Sequence, residues 1–288
     1  MPDYIDLHIH TTASDGSLTP AAVVGLARER GLKAIAITDH DTIAGCPEAQ
    51  SVGSGLGVEV ICGVEISADW PHGTLHMLGY FFGPFPHSLD QDLFELQDNR
   101  AKRNREMVVK LQNLGFQVSG EDIVRASGGG QIGRPHFAKV MVEKKYVKSM
   151  EEAFDRYLGK GKPAYIEKDR INPEQAIRMI AKSGGIPVLA HPTTLGEYDS
   201  GGIPALLARL KEEGLRGLEV FYYSHAEPDT NRLLSLAQRF DLLVTGGTDF
   251  HGANLGDIQL GTGKGNLKIP YQLLVKLRNA SLSDSYSR

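Results

Sequence analysis

Short apolar segments alternate along the chain with longer segments of mixed polarity, and most of the apolar segments run into histidines or acidic residues. The first part of the chain contains YIDLHI, KAIAIT, GVEVICGVEI and TLHMLGYFF, and the last third contains IPVLAHP, LRGLEVFY and LLVTGGTDFH. Short runs of this kind, rich in β-branched residues and bounded by turn residues, are typical of strands. These seven segments are therefore predicted strands.

The segments between them have the signals of helices. TPAAVVGLARERG begins with Thr19 as an N-cap and Pro20 in the first turn, and ends at Gly31. NPEQAIRMIAKSGG, GIPALLARLKEEG and AEPDTNRLLSLAQRFD are also predicted helices. Repeated strand–helix units of this length predict an α/β fold with a parallel sheet, open or closed into a barrel. Ligands of such sheets gather at the C-terminal ends of the strands.

Residues 86–166 interrupt this alternation, because they contain helix-like segments and no clear strand. This part carries 14 Lys and Arg against 11 Asp and Glu, whereas the whole chain has a formal net charge of −4. We therefore divide the chain into a barrel (1–85 and 167–275), a helical insertion that covers the strand ends as a substrate lid (86–166) and a polar C-terminal tail (276–288). Basic residues in the Gly-rich connections of the insertion are better functional candidates than those on its periodic helix faces.

The composition is that of an ordinary globular protein, since 41% of the 288 residues are hydrophobic and 23% are charged. The net charge provides no basic field for duplex DNA, but a nucleotide or short oligonucleotide needs only a local basic patch. Two cysteines are too few for a disulfide framework and fit a reducing compartment. No apolar run is long enough to span a bilayer, and the N-terminus has no signal-peptide pattern. We expect a cytoplasmic protein without a membrane partner; the oligomeric state stays open.

Imidazole and carboxylate groups recur at or just beyond the ends of the predicted strands. Gathered at one end of a sheet without cations, they would repel each other or be buried unpaired, which is costly. Metal ions would remove this conflict, and nitrogen and oxygen ligands without thiolates favour manganese, zinc or iron. Nine ligands are too many for one ion and suit two or three. The nine residues are His8, His10, Asp15, His40, Glu65, His76, His191, Asp249 and His251.

Five motifs together resemble those of the PHP (polymerase and histidinol phosphatase) family of metal-dependent phosphoesterases: DLHIHTTASDGSLTP, AITDHDTIAG, GVEIS, LAHP and TGGTDFHG. The resemblance covers residues 4–262. It implies a distorted (β/α)7 TIM-like barrel with two to three divalent metal ions, manganese first and zinc, iron or magnesium as alternatives. It also implies that His8, His10, Glu65 and Asp249 hold the first metal, that Glu65 bridges to a second held by His76 and His191, and that Asp15, His40 and His251 hold a third.

Within this family the spacing most resembles the branch that acts on 3′,5′-bisphosphonucleotides, some members of which trim short RNA from the 5′ end. The implied reaction removes the 3′-phosphate and leaves a 5′-mononucleotide, through in-line attack on phosphorus by hydroxide formed from water at the metals. Arg134 and His136 of GRPHFA are the catalytic candidates, as a phosphate clamp and as a donor to the leaving oxygen. The predicted substrate-binding residues are Arg134, His136, Lys160, Lys162, Tyr222 and His225.

Three other functions fit part of the sequence. One is a phosphatase for a small metabolite such as histidinol phosphate, over which the basic and aromatic residues favour a nucleotide only weakly. Another is a C–N hydrolase or deaminase of the amidohydrolase type, which also opens with His-x-His on a barrel strand. Asp15, His40 and His251 supply a third site that such an enzyme does not need. The last is a non-catalytic metal-binding module, against which the complete ligand set argues.

Overall fold

The computed structural model describes residues 3–70, 73–127, 132–166, 171–195 and 202–285 of the chain. Within these residues the seven predicted strands are present, and a short eighth strand follows them. The strands are β1 (Tyr4–Asp6), β2 (Ala34–Ile37), β3 (Glu59–Trp70), β4 (Gly73–Phe81), β5 (Ile186–Leu189), β6 (Gly217–Tyr222), β7 (Leu243–Gly247) and β8 (Ile269–Pro270).

The strands form one sheet that closes on itself. Their order is β7-β6-β5-β4-β3-β2-β1-β8. The β1 and β7 ends of the sheet are joined by backbone hydrogen bonds, because the Leu7 amide donates to the Gly246 carbonyl at 3.2 Å and the His10 amide to the Phe250 carbonyl at 2.9 Å. β8 pairs with the beginning of β1 in antiparallel orientation. The result is a distorted TIM-like barrel, and the predicted fold class is confirmed.

β4 runs antiparallel to both of its neighbours, so the parallel sheet that the sequence predicts contains one antiparallel strand among β1 to β7. It pairs with β3 from Trp70↔Gly73 onwards and with β5 through Met77↔Leu189. The other pairs among β1 to β7 are parallel. The chain between β3 and β4 is too short for a crossover helix, and consecutive strands without one pair in antiparallel orientation. This strand direction positions one of the candidate ligands described below.

Helices connect the parallel strands, and their sequence signals act as expected. The Thr19 side chain accepts a hydrogen bond from the Ala22 amide at 3.2 Å, and the Asn172 side chain caps the helix that follows it. The helix from Cys46 to Leu56 was not predicted from the sequence. The helices are α1 (Pro20–Glu29), α2 (Cys46–Leu56), α3 (His87–Asn113), α4 (Gly120–Ser127), α5 (Arg134–Glu143), α6 (Met150–Ala153), α7 (Pro173–Lys182), α8 (Gly202–Glu212), α9 (Glu227–Arg239) and α10 (Gln272–Ser285).

The chain divides into two compact units. The barrel unit comprises Met1–Asp92 and Arg170–Arg288, and its core joins apolar side chains of β1 to β5 and β8 with two from α10. The second unit comprises Leu93–Asp169. Its described residues are helices and turns, and they pack around a separate apolar core that includes Phe137. Each unit therefore buries a core of its own.

The polar tail expected from residue 276 is instead helical as far as Ser285, because it belongs to α10. Leu274 and Leu277 are fully buried in the barrel core, and their spacing places them on one helix face. The small polar residues later in this segment predict a frayed tail, but Leu274 and Leu277 anchor the helix to the barrel core. Among the described residues, no helix has the length and the apolar character that a membrane span requires.

Candidate metal centre

The nine candidate ligands meet at one end of the barrel. His8 and His10 follow β1, His40 follows β2, and Glu65 lies within β3. His191, Asp249 and His251 follow β5 and β7 in the same way. Asp15 lies in a turn between β1 and the helix α1, and His76 lies in the first half of β4. Because β4 is antiparallel, its first half lies beside the later half of β3, where His76 is paired with Ser67.

The first group of ligand atoms contains two histidine nitrogens and two carboxylate oxygens. His10 Nε2 lies 3.1 Å from Asp249 Oδ1 and 3.2 Å from Glu65 Oε2. His8 Nε2 lies 3.4 Å from each of the same two oxygens. All four ligand atoms lie within 4.8 Å of one another. This group has the composition that the sequence predicts for the first metal.

The second group surrounds the other oxygen of Glu65. Glu65 Oε1 lies 2.9 Å from His76 Nδ1 and 3.0 Å from His191 Nε2, and these two nitrogens are 3.2 Å apart. His40 is close as well, with Nδ1 at 3.0 Å from Glu65 Oε2. Glu65 therefore contacts histidines of different predicted sites with its two oxygens, which is the geometry of a bridging carboxylate.

The third group contains Asp15, His40 and His251, as predicted, and the structure adds His10 to it. Asp15 Oδ1 lies 3.3 Å from His251 Nε2, and Asp15 Oδ2 lies 3.8 Å from His40 Nε2. The rings of His10 and His251 are stacked at 4.1 Å between centroids. The nine side chains thus form one continuous cluster, although their assignment to particular metals stays a prediction.

The cluster shifts the pKa values of its own members strongly. Burial alone would lower the pKa of His8, but the carboxylates of Glu219, Glu65 and Asp249 raise it well above its usual value. Burial is likewise outweighed at His10, whose pKa Asp249 and Glu65 raise to about 10. Burial would raise the pKa values of the Glu65 and Asp249 carboxyls, yet the neighbouring histidines hold both pKa values well below their usual range. Without bound metal, protons on imidazoles therefore balance the carboxylates.

Hydrogen bonds within the cluster direct nitrogen lone pairs towards the carboxylates. Glu219 and the Asp249 carbonyl can only accept, so the Nδ1 atoms of His8 and His251 carry the protons at 3.0 and 2.8 Å. Once these two imidazoles are neutral, their Nε2 atoms face carboxylate oxygens with lone pairs. In addition, His8 Nε2, His10 Nε2 and Glu65 Oε2 are buried without a hydrogen bond to any described residue. Lone pairs directed at anionic oxygens need a cation between them, so the donor set fits divalent metals.

Comparison with known proteins agrees with this site. The PHP domain family matches residues 6–170, which is more than half of the chain. The chain belongs to the PHP family. The predictions of its family and of its enzyme class, a metal-dependent phosphoesterase, are thereby confirmed.

Individual PHP relatives match over most of their length. The 3′,5′-nucleoside bisphosphate phosphatase of Chromobacterium violaceum is 34% identical over 260 residues, which cover 89% of this chain and 90% of that protein. The 5′-3′ exoribonuclease of Haemophilus influenzae is 35% identical over 248 residues, which cover 85% and 89%. A solved structure of a candidate metal-dependent phosphoesterase from Bifidobacterium adolescentis is 29% identical, with a TM-score of 0.76 over 96% of both chains.

Two predicted ligands of this PHP barrel have unusual backbone conformations. Asp249 has φ 53° and His191 has φ 23°, values that residues other than glycine adopt rarely and at a cost of about 1–3 kcal/mol each. Gly247 lies beside the cluster, and a Cβ there would be 2.2 Å from the Cβ of His8. The absence of a side chain at this position therefore allows β7 to approach the histidines.

Sequence analysis missed two fully buried carboxylates that contact the cluster. Asp6 accepts hydrogen bonds from the Thr248 amide at 2.9 Å and the Gly261 amide at 2.8 Å, which ties β1 to the segment that carries Asp249. Glu219 contacts His8 and the amide of His191. Each is a lone acid inside a predicted apolar strand, YIDLHI or LRGLEVFY. A lone acidic residue in an apolar strand indicates a buried polar contact, because acidic residues are rarely fully buried without a partner.

Two predicted substrate-binding residues lie beside the cluster in the barrel unit. Tyr222 is buried, and its hydroxyl donates to Asp249 Oδ2 at 2.9 Å. His225 packs on Tyr222 with 5.2 Å between ring centroids and donates from Nδ1 to the Val220 carbonyl at 2.8 Å. Tyr222 is therefore placed to orient a ligand carboxylate, and contact with substrate stays a prediction for both residues.

The other four predicted substrate-binding residues belong to the second unit. The Arg134 guanidinium lies 5.3 Å from the Tyr165 ring centroid and donates to the Leu158 carbonyl at 3.4 Å. Since Lys160 and Lys162 follow Leu158 closely in the chain, this contact brings the three cations to the same part of the unit. His136 Nδ1 accepts from the Gly133 amide at 2.9 Å at the start of α5.

Proposed function

We propose that this PHP-family chain hydrolyses a phosphate monoester of a nucleotide. The substrate is a 3′,5′-bisphosphonucleotide, which loses its 3′-phosphate and leaves a 5′-mononucleotide. The observation that carries the proposal is the convergence of eight imidazole and carboxylate side chains into three overlapping groups of ligand atoms, each within 4.8 Å, with His191 Nε2 3.0 Å from Glu65 Oε1. The named activity of the Chromobacterium violaceum relative supports the substrate class.

The donor atoms suit two to three divalent cations with manganese as the first choice, because imidazole and carboxylate ligands without thiolate fit that ion. When bound, such cations offset the negative charge of a phosphate ester and lower the pKa of water in the site. Asp15, with histidines on either side, completes a third group that a one- or two-metal amidohydrolase does not need. This third group favours phosphate chemistry over C–N hydrolysis.

We assign different tasks to the predicted substrate-binding residues. Tyr222 holds Asp249 through its hydroxyl hydrogen bond. Arg134 clamps the phosphate with a planar fork of donors, and Lys160 and Lys162 bind a second phosphate as flexible point charges. His136 acts as a neutral donor to an ester oxygen, because its Nδ1 lone pair is engaged by the Gly133 amide and its proton is left on Nε2.

Trimming of short RNA from the 5′ end is the second activity that we propose. The 35% identity to the Haemophilus influenzae exoribonuclease supports it. The excess of Lys and Arg over Asp and Glu in residues 86–166 is in keeping with a short anionic strand. A phosphatase for histidinol phosphate is the remaining alternative within the family.

A substrate panel with the manganese-loaded protein tests the proposal. The panel contains a 3′,5′-bisphosphonucleotide, a 5′-mononucleotide, histidinol phosphate and a 5′-phosphorylated short RNA. We expect phosphate release with the highest kcat/KM on the bisphosphonucleotide and 5′ shortening of the RNA. Asp249→Asn is the matched control, since it preserves size but loses the carboxylate. Absence of phosphate release from every member would overturn the proposal, and a preference for histidinol phosphate would replace the substrate.

A further inference from the structure

Glu219, a carboxylate of β6, is outside every group of predicted metal ligands. Its side chain is fully buried. Oε1 lies 3.0 Å from His8 Nδ1, and Oε2 accepts a hydrogen bond from the His191 amide at 2.8 Å. One buried carboxylate therefore contacts a ligand of the first predicted metal and a ligand of the second.

The first contact fixes the tautomer of His8. A carboxylate oxygen can only accept, so Nδ1 of His8 must donate, and in the neutral imidazole that binds metal Nε2 is left with its lone pair. This Nε2 faces Glu65 and Asp249 at 3.4 Å. A histidine that ligates a metal usually donates its other ring N–H to such a carboxylate, which sets the ring orientation and strengthens the ligand.

The second contact fixes a strained backbone. His191 has φ 23°, and its amide donates to Glu219 Oε2. The side chain of His191 is held as well, because Thr194 Oγ1 donates to the His191 carbonyl at 2.9 Å and must therefore accept from Nδ1 at 2.8 Å. Nε2 of His191 is thus directed at Glu65 Oε1, which lies 3.0 Å away.

We propose that Glu219 is a positioning residue that couples the first two metal sites, by holding His8 Nε2 and the backbone of His191 in their ligating geometry at the same time. The inference rests on the proposed function, because it deepens the account of the same metal centre. It differs from the ligand assignment, since Glu219 is in none of the groups of ligand atoms and acts through two predicted ligands, His8 and His191.

Glu219→Gln tests this coupling at nearly constant size. The amide has one acceptor atom, and Glu219 contacts two donors, so the variant must lose one of the two hydrogen bonds. Either His8 changes tautomer and directs Nε2–H at the first site, or the His191 amide loses its acceptor. We expect the dissociation constant of at least one manganese ion, measured by competition with a chelator, to rise about 10–100-fold. Glu59→Gln, a carboxylate at the beginning of β3, is the matched control and should keep the wild-type value.

Imidazole NMR of the protein loaded with diamagnetic zinc gives a readout that a general loss of stability would not produce. We expect the His8 ring, assigned by its absence in His8→Gln, to carry its proton on Nδ1 in the wild type. In Glu219→Gln it loses this signature when the amide nitrogen faces His8, and keeps it, with weaker metal binding, when the amide nitrogen faces the His191 amide. An unprotonated Nδ1 in the wild type overturns the inference even if the variant fails to fold. Wild-type metal affinity and an unchanged His8 signal in the variant would also overturn it. Neither measurement uses phosphate release, so failure of the proposed function is detected separately.

Discussion

Glu59 and Glu65 lie on the same strand, β3, yet their surroundings are different. Glu59 accepts a hydrogen bond from the Tyr271 hydroxyl at 2.8 Å and pairs with Arg278, and its side chain is 36% exposed. The Glu65 side chain is 1% exposed and is surrounded by histidine nitrogens. At the beginning of β3 each charge has an opposite partner or a donor. At Glu65, in the later half of β3, the carboxylate oxygens face the ring nitrogens of several histidines.

The comparison shows how a structural polar cluster differs from a ligand-binding one. Exposed pairs such as Glu59–Arg278 are satisfied within the protein and contribute little to stability. The buried cluster around Glu65 is balanced only when protons or cations occupy its centre, as the raised pKa values of His8 and His10 show. Such a cluster is therefore suited to binding cations, which replace the imidazole protons.

The largest expected effect is the difference in metal content and rate between the same substitution at Glu65 and at Glu59. Glu65→Gln replaces one oxygen by an amide donor facing histidine nitrogens, so we expect loss of metal and a decrease in nucleotide phosphate release of more than about 100-fold. Glu59→Gln, the matched change on the same strand, should keep metal content and rate within about twofold. Elemental analysis of dialysed protein and initial rates measure both. Wild-type metal content in Glu65→Gln would contradict the assignment of Glu65 as a shared ligand.

A second prediction concerns the stability of metal-free protein. The pKa of His10 is raised from 6.5 to about 10, so its contribution is complete below pH 6.5 and is lost as the pH rises towards 10. The pKa of Glu65 is held below 4.5, so its contribution is present above that pH and is lost on acidification. We expect Tm of chelator-treated protein to be highest between about pH 4.5 and 6.5 and to fall by pH 10.

Circular dichroism melts at fixed ionic strength measure this profile. Each 1 kcal/mol lost lowers Tm by about 2–4 °C for a domain of this size class. Metal-loaded protein is the control and should show a smaller decrease at high pH, because bound cations replace the imidazole protons. A Tm of metal-free protein that increases from pH 6.5 to 10 would contradict the prediction.

A third prediction is proton release on metal binding. Both His8 and His10 have raised pKa values and are protonated at neutral pH without metal, so binding must displace about two protons from this pair. Calorimetric titration with manganese in buffers of different ionisation enthalpy measures the number. A heat that does not depend on the buffer would show that the two imidazoles are neutral before binding.

The smallest expected effect lies at the beginning of β3. Arg278→Ala removes the partner of Glu59 from a pair that is about one-third exposed on both sides. We expect a decrease in the free energy of unfolding of less than about 1 kcal/mol and no change in metal content. Urea denaturation and elemental analysis measure the two quantities. A loss of metal in this variant would mean that the two clusters are not independent.

Local sequence signals predicted most of the strands and helices and the ligand chemistry of this protein. Periodicity and caps predicted β1 to β7 and helices such as α1, because these signals are local. The ligand motifs lie at or next to strand ends, so the topology of an α/β sheet was enough to predict that His8, His40 and Asp249 meet. Family resemblance then added the barrel and the metal-dependent reaction.

Other features depend on contacts between segments that are distant in the sequence. The direction of β4, and with it the placement of His76, depends on pairing between distant segments and not on local propensity. The small polar residues near the C-terminus predict a tail, but the structure places them in α10, whose Leu277 is fully buried. Asp6 and Glu219 each appeared as a single charge in an apolar strand. Their roles follow from hydrogen bonds to partners remote in sequence, which periodicity does not predict.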